Sequence, residues 1–120
     1  MKGALVLGVG APVGDDAVGL EVVRELVRRG LPAGVEAREV VEPSQLVTLI
    51  VEAERVVIVD AVLDGSPPGT VTRIPLDALA SVRSLSTHGV SVFDALELAR
   101  VLAPRERRID VIGVTIAGAR

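Results

Sequence analysis

The stretch Ala4–Gly19, ALVLGVGAPVGDDAVG, decides how the chain begins to fold. Its first residues form a continuous apolar run, which is typical of a strand buried on both faces of a parallel sheet. A glycine-rich turn follows, and from Asp15 or Asp16 to about Arg29 the apolar residues fall at helical spacing. The turn has Val13 where a dinucleotide-binding loop needs its third glycine. Because helix N-termini attract anions, two carboxylates there argue against a phosphate site.

Further strands and helices alternate along the rest of the chain. We predict strands at Val35–Val41, Arg55–Asp60, Thr70–Pro75 and Ile109–Val114, helices at Pro43–Glu52 and Ser91–Leu102, and turns throughout Ala61–Gly69. The link between the third and fourth strands is about nine residues, too short for a crossover helix, so we expect these two strands to pair antiparallel. The pattern predicts one α/β domain over residues 1–120. We expect a three-layer α/β/α sandwich around a mostly parallel sheet of about five strands.

Composition excludes several classes of function. The chain has no cysteine, which rules out disulfides and thiolate metal sites. Its formal net charge is −3 and Lys2 is its only lysine, so nucleic-acid binding is not expected. Hydrophobic residues make up 49% of the chain, but no run approaches the roughly 20 apolar residues of a membrane helix. We therefore expect a cytoplasmic protein that does not associate with membranes.

Polar residues able to bind a metal are predicted at one edge of the sheet. Asp60 ends the third strand, and Asp15 and Asp16 follow the first strand, so all three lie at the carboxyl edge, where α/β sheets bind ligands. His88, the only histidine, precedes the helix that leads into the last strand, and such a helix begins at the same edge. Two carboxylates and an imidazole at one edge suit a borderline divalent ion such as nickel, zinc or copper.

Each of these residues also has an interpretation without function. For Asp15 we favour a helix N-cap, and Asp16 by itself serves equally to complement the helix dipole. A lone histidine near a helix start, such as His88, is commonly a surface or capping residue. Asp60 is harder to explain in this way, because a carboxylate after RVVIV costs free energy if it is buried without a partner.

The order and spacing of these motifs resemble the nickel–iron hydrogenase maturation protease family. The resemblance is carried by GVG and GDDAVG near the start, VVIVDAV and PPGTV in the middle, STHG before a helix, and VIGV near the end. It implies a five-stranded α/β/α sandwich. It also implies a cytoplasmic endopeptidase that removes the C-terminal extension of the hydrogenase large-subunit precursor after nickel has been inserted.

Matching the motifs assigns the family's functional residues to three positions. The acidic residue of the first helix falls on Asp16, the strand-end aspartate on Asp60, and the histidine on His88. These residues are implied to contact nickel that belongs to the substrate, for which zinc or cadmium is expected to substitute, and to form the catalytic site. Whether a carboxylate acts as general base, in the manner of an aspartyl-type endopeptidase, or the metal activates water stays open at this stage.

Two alternative functions follow from the same residues. The chain stops shortly after VIGV, where the family continues through a loop and a final helix, so a shortened relative that binds metal or precursor without cleaving it is one alternative. A receiver-like signalling domain with Asp60 as phosphoacceptor is another, although the lysine that it requires after the last strand is missing. Without the final helix we expect one face of the sheet to stay partly bare, and a homodimer to cover it.

Overall fold

The computed structural model describes residues 2–11, 17–42, 44–63, 65–81, 83–84 and 92–117. The strands are β1 (Lys2–Val9), β2 (Val35–Val40), β3 (Ala53–Leu63), β4 (Val71–Ile74), β5 (Arg83–Ser84) and β6 (Arg108–Thr115). The helices are α1 (Val18–Arg29), α2 (Gln45–Val51) and α3 (Val92–Leu102), and a 3-10 helix covers Leu76–Ser81.

The sheet is mixed and mostly parallel. Five strands follow the order β2-β1-β3-β6-β4. β1 pairs parallel with β2 and β3, and β6 pairs parallel with β3. The two-residue β5 pairs antiparallel with β3 at Val62–Leu63, beyond the end of β1. The predicted mostly parallel sheet of about five strands is thereby confirmed, and β2 lies at an edge, as its interleaved charges indicated.

The predicted partner of β4 is wrong. β4 is antiparallel, as the short connection requires, but it pairs with β6 and not with β3. β6, the last strand of the chain, lies between β3 and β4. It pairs with β3 over eight residue pairs from Arg55 to Val62, on the side of β3 opposite to β1. Loop length thus predicted the direction of β4 correctly, but it carried no information on which strand would become the neighbour.

The helices cover the two faces of the sheet unequally. α2 and α3 pack against each other and share one buried cluster with Leu7, Ile58 and Val111, which lie on the same face of their strands. α1 packs on the opposite face, against β1, β2 and β3, through the buried side chains of Leu20 and Val23. Among the described residues this gives three layers, with the main core between the sheet and the α2–α3 pair.

α1 begins later than the sequence indicated. Its N-cap is Ala17, which makes no side-chain capping hydrogen bond, so the interpretation of Asp15 as the N-cap is wrong. Asp15 and Asp16 themselves lie outside the described residues. The C-terminal end agrees with the prediction: Gly30 has φ 92° and its N–H donates to the Val27 carbonyl, and the following Pro32 cannot continue the helix.

The chain around β3 and β4 contains more regular structure than predicted. β3 continues three residues beyond Asp60, because pairing with β6 and β5 holds residues that sequence pattern assigned to a turn. The turn proper contains Gly65 and Gly69, with φ of 86° and 90°, which glycine adopts readily. The 3-10 helix and β5 were not predicted at all.

Candidate functional site at the carboxyl edge of the sheet

Asp60 lies at the carboxyl edge of the sheet, on its central strand. Its register partner on β6 is Gly113, and its side chain is 2% exposed. This carboxylate is therefore buried, and by the argument from sequence it requires a partner. Asp60 has an interaction partner, and among the described residues no buried side-chain nitrogen or oxygen lacks a hydrogen bond. Asp60 is thus a buried carboxylate that interacts with a partner, and not an isolated charge.

The face of β3 that carries Asp60 is the face covered by α3. Side chains alternate along a strand, so Asp60 lies on the same face as Ile58 and Val62, which both belong to the core cluster shared with α2 and α3. Val92, the first residue of α3, is 3% exposed and belongs to that cluster as well. The described start of α3, four residues after His88 in sequence, therefore packs with the side of β3 that carries Asp60.

The start of α1 reaches the same edge from the other face. An ideal Cβ on Gly19 would lie 2.3 Å from the carbonyl oxygen of Val9 and 2.7 Å from that of Val59. These carbonyls belong to the ends of the β1 and β3 segments that pair with each other. The first turn of α1 therefore rests directly on the main chain next to Asp60.

The structure describes only one of the three predicted site residues. Asp60 is where the sequence placed it, at the carboxyl edge. Asp16 and His88 lie outside the described residues, so their joint site with Asp60 remains a prediction. Within the described part of the chain, no three His, Cys, Asp or Glu side chains are grouped closely enough to hold a metal ion. Of the described elements that flank Asp16 and His88 in sequence, α1 begins on the main chain next to Asp60, and α3 begins on the face of β3 that carries Asp60.

A cavity lies beside α3 and extends to the residues before β6, at the amino end of that strand. It has a volume of about 460 Å³ and is lined by the 3-10 helix, α3 and the residues before β6, including Phe93, Leu96 and Arg107. Arg107 donates to the carbonyls of Ala103 (3.1 Å) and Ala53 (3.4 Å), which ties α3 to the start of β3. Burial lowers the pKa of Arg107, and Arg105 lowers it further. The hydrogen bonds of Arg107 thus stabilise the junction between the end of α3 and the start of β3. Because Arg107 has this structural role in the cavity lining, we place the candidate site at Asp60 and not in the cavity.

No helix in the described part of the chain combines the length and hydrophobicity that crossing a membrane requires.

Comparison with known proteins identifies the class. The model of the hydrogenase maturation protease family matches residues 21–118. A curated protein of Methanocaldococcus jannaschii, named for the hydrogenase maturation proteases, is 34% identical over 89 residues, which is 71% of this chain and 58% of that protein. The chain therefore belongs to the hydrogenase maturation protease family, a family of peptidases. It spans a little over half the length of this curated relative.

Solved structures agree with this assignment. The hydrogenase maturating endopeptidase HybD from E. coli aligns with a TM-score of 0.77 and 25% identity, over 100% of this chain and 77% of that one. The [NiFe] hydrogenase maturation protease HycI from Thermococcus kodakarensis aligns with a TM-score of 0.69 and 25% identity, over 93% of this chain and 72% of that one. The family match includes Asp60 and His88 and begins after Asp16. The receiver-domain alternative has no support from these comparisons.

Proposed function

We propose that this chain is an endopeptidase that removes the C-terminal extension of a nickel–iron hydrogenase large-subunit precursor. Membership of the hydrogenase maturation protease family supports this function. The observation that carries it is Asp60, a carboxylate that is 2% exposed in the carboxyl-terminal half of the central strand. Binding sites of open α/β sheets lie at this edge, and a buried acid there is typical of a functional site.

The proposed substrate carries its own nickel, which serves as the recognition signal. Asp16, Asp60 and His88 are the proposed contacts to this ion, and mixed carboxylate and imidazole ligands suit a borderline divalent cation. An acidic edge with one imidazole has little affinity for an ordinary peptide, but it has strong differential affinity for a peptide that bears a metal ion. Nickel in the precursor would therefore decide whether cleavage takes place.

Two routes to hydrolysis fit these residues. In the first, a carboxylate removes a proton from the attacking water, as a general base. In the second, the nickel of the substrate polarises the scissile carbonyl or activates the water as a Lewis acid. We favour the second route, because the residues then have one task, which is to hold the metal and the peptide in register.

Incubation with purified precursor tests this proposal. The precursor is offered with and without nickel, and mass spectrometry of its C-terminus reports cleavage. We expect cleavage of the nickel-loaded form only, and none by Asp60→Ala once circular dichroism has shown that this variant is folded. Comparable cleavage of both forms would contradict nickel gating. Tight binding of the loaded precursor without cleavage would replace the proposed protease with a relative that binds but does not cut.

A further inference from the structure

The contact between β1 and α1 is closer than any residue other than glycine allows. An ideal Cβ on Gly8 would lie 2.0 Å from the carbonyl oxygen of Gly19 and 2.6 Å from a methyl carbon of Val23. An ideal Cβ on Gly19 would lie 2.3 Å from the Val9 oxygen and 2.9 Å from the Val9 nitrogen. All but one of these neighbours are main-chain atoms, which cannot rotate away as a side chain does. An alanine at either position therefore has to move α1 relative to the sheet.

Close approach, and not backbone conformation, is what requires these two glycines. Among the described residues, the glycines with positive φ are Gly30, Gly34, Gly65 and Gly69, and each of these has open space around its missing Cβ. Gly8 and Gly19 have the opposite combination: their φ is not positive, and an added Cβ would collide with neighbouring atoms. Replacing either of them therefore tests a packing distance, with no change in the conformational preference that a turn would need.

The contact of Gly19 reaches the main chain that carries the candidate site. The Val59 carbonyl, 2.7 Å from an ideal Cβ on Gly19, belongs to the peptide bond that joins Val59 to Asp60. The same glycine rests on Val9, the last residue of β1. Gly19 therefore fixes the first turn of α1 against both strand ends beside Asp60. In sequence, Asp16 stands two residues before the first residue of this helix.

We propose that Gly8 and Gly19 are positioning residues that set the distance between the start of α1 and Asp60, and hence the geometry with which the site binds a divalent cation. This inference rests on the proposed function, because it assumes that the carboxyl edge binds the cation. Cation affinity tolerates little displacement of a ligand, since a bound ion demands fixed distances from every group that contacts it. A small outward shift of α1 should therefore weaken binding far more than it weakens the fold.

Gly19→Ala and Gly8→Ala test the inference in two matched experiments. Calorimetric titration with cadmium or zinc should show at least a tenfold loss of affinity relative to the wild-type chain. In NMR spectra without metal, the backbone amide resonance of Asp60 should shift in both variants. A matched control, Gly3→Ala, should keep affinity within about twofold, because it adds a methyl group at the amino end of β1, where an ideal Cβ lies 3.1 Å from the Gly34 oxygen.

Hydrogen exchange of the wild-type chain provides a test that needs no variant to fold. Cation binding should slow exchange of the amides in the first turn of α1, Val18–Leu20, and leave the last turn unchanged. Wild-type affinity in Gly19→Ala, or a loss in Gly3→Ala as large as in Gly19→Ala, would overturn the positioning role. If the wild-type chain itself binds no cation and cleaves no precursor, the proposed function fails, which is a different result.

Discussion

The two halves of the sheet are covered differently. In the half made of β2, β1 and β3, helices lie on both faces, and Val59 (5% exposed) and Ala61 (0%) on the α1 face of β3 are buried. In the half made of β6 and β4, α3 and the 3-10 helix cover one face, where Val111 is 1% exposed. On the opposite face of that half, Val71 is 66% exposed and the Arg73 side chain 67%. Strands of one sheet thus experience very different environments.

This difference shows that an apolar strand does not guarantee a buried strand. Ile112 and Val114 are as apolar as Val59 and follow the same alternation, yet they stay half-buried, whereas Val59 is buried. Burial of a strand face depends on which helix the topology brings over it, and among the described helices only α1 packs on this face. Asp60 lies on β3, the strand at which the two halves meet.

The largest expected effect concerns stability in the fully covered half. Ile58 is 0% exposed, and Ile58→Ala should lower the free energy of unfolding by about 2–5 kcal/mol, because it removes buried methyl groups and leaves a cavity. Val71→Ala in the other half should change it by no more than about 0.5 kcal/mol. Urea unfolding followed by circular dichroism measures both, and equal losses would show that Val71 is covered as well as Ile58.

The next effect concerns the proposed ion site. His88→Ala should weaken cadmium, zinc or nickel binding at least tenfold, which corresponds to about 1.4 kcal/mol, because it removes an imidazole ligand. Asp16→Ala and Asp60→Ala should act in the same direction, and calorimetry with a single-site fit measures each of them. Binding that is equal in the wild-type chain and all three variants would reject the site.

The same site should respond to pH. Ion affinity should fall below about pH 6, because protons compete with the metal for the imidazole of His88. Protonation therefore opposes binding, and affinity should recover as pH rises. Titrations between pH 5 and 8 would measure this, with His88→Ala as the control that should have a flatter profile. A profile that is as steep in this variant would assign the titration to another group.

The bare face of β6 and β4 should bring two chains together. A homodimer that covers Val71 and Val114 would remove apolar surface from water, and a stable interface needs about 800 Å² from each partner. Light scattering at micromolar concentration should give twice the monomer mass for the wild-type chain and the monomer mass for Val71→Lys. A wild-type monomer that binds no hydrophobic dye would show that this face needs no cover.

The smallest expected effect concerns the ion pair on this bare face. Arg73 pairs with Asp110, and Arg108 lies 3.7 Å from the same carboxylate. Because the arginine side chain is 67% exposed, Arg73→Ala should cost at most about 1 kcal/mol, and less as salt is added. Urea unfolding at two salt concentrations checks this. A large, salt-independent loss would mean that water does not reach this part of the sheet.

Most of the regular structure could be predicted from local pattern. Apolar runs and helical spacing identified β1, β2, β3, β6 and all three helices, because buried strands and amphipathic helices have distinct periods. Asp60 was found as a site candidate for a related reason: a carboxylate that ends an apolar strand of an α/β sheet lies at the ligand-binding edge. The family assignment also came from sequence, through motifs whose order and spacing are specific only when taken together.

Tertiary structure decided what depends on partners far away in the chain. The neighbour of β4 is β6 because β6 pairs with β3 and lies between β3 and β4, and no local pattern around Thr70–Pro75 encodes that arrangement. The start of α1 at Val18, the extension of β3 to Leu63 and the existence of β5 all result from pairing and packing with distant segments. The role of Gly8 and Gly19 is of the same kind. Sequence shows two glycines, whereas only the packed helix shows that a Cβ there would collide with main-chain atoms beside Asp60.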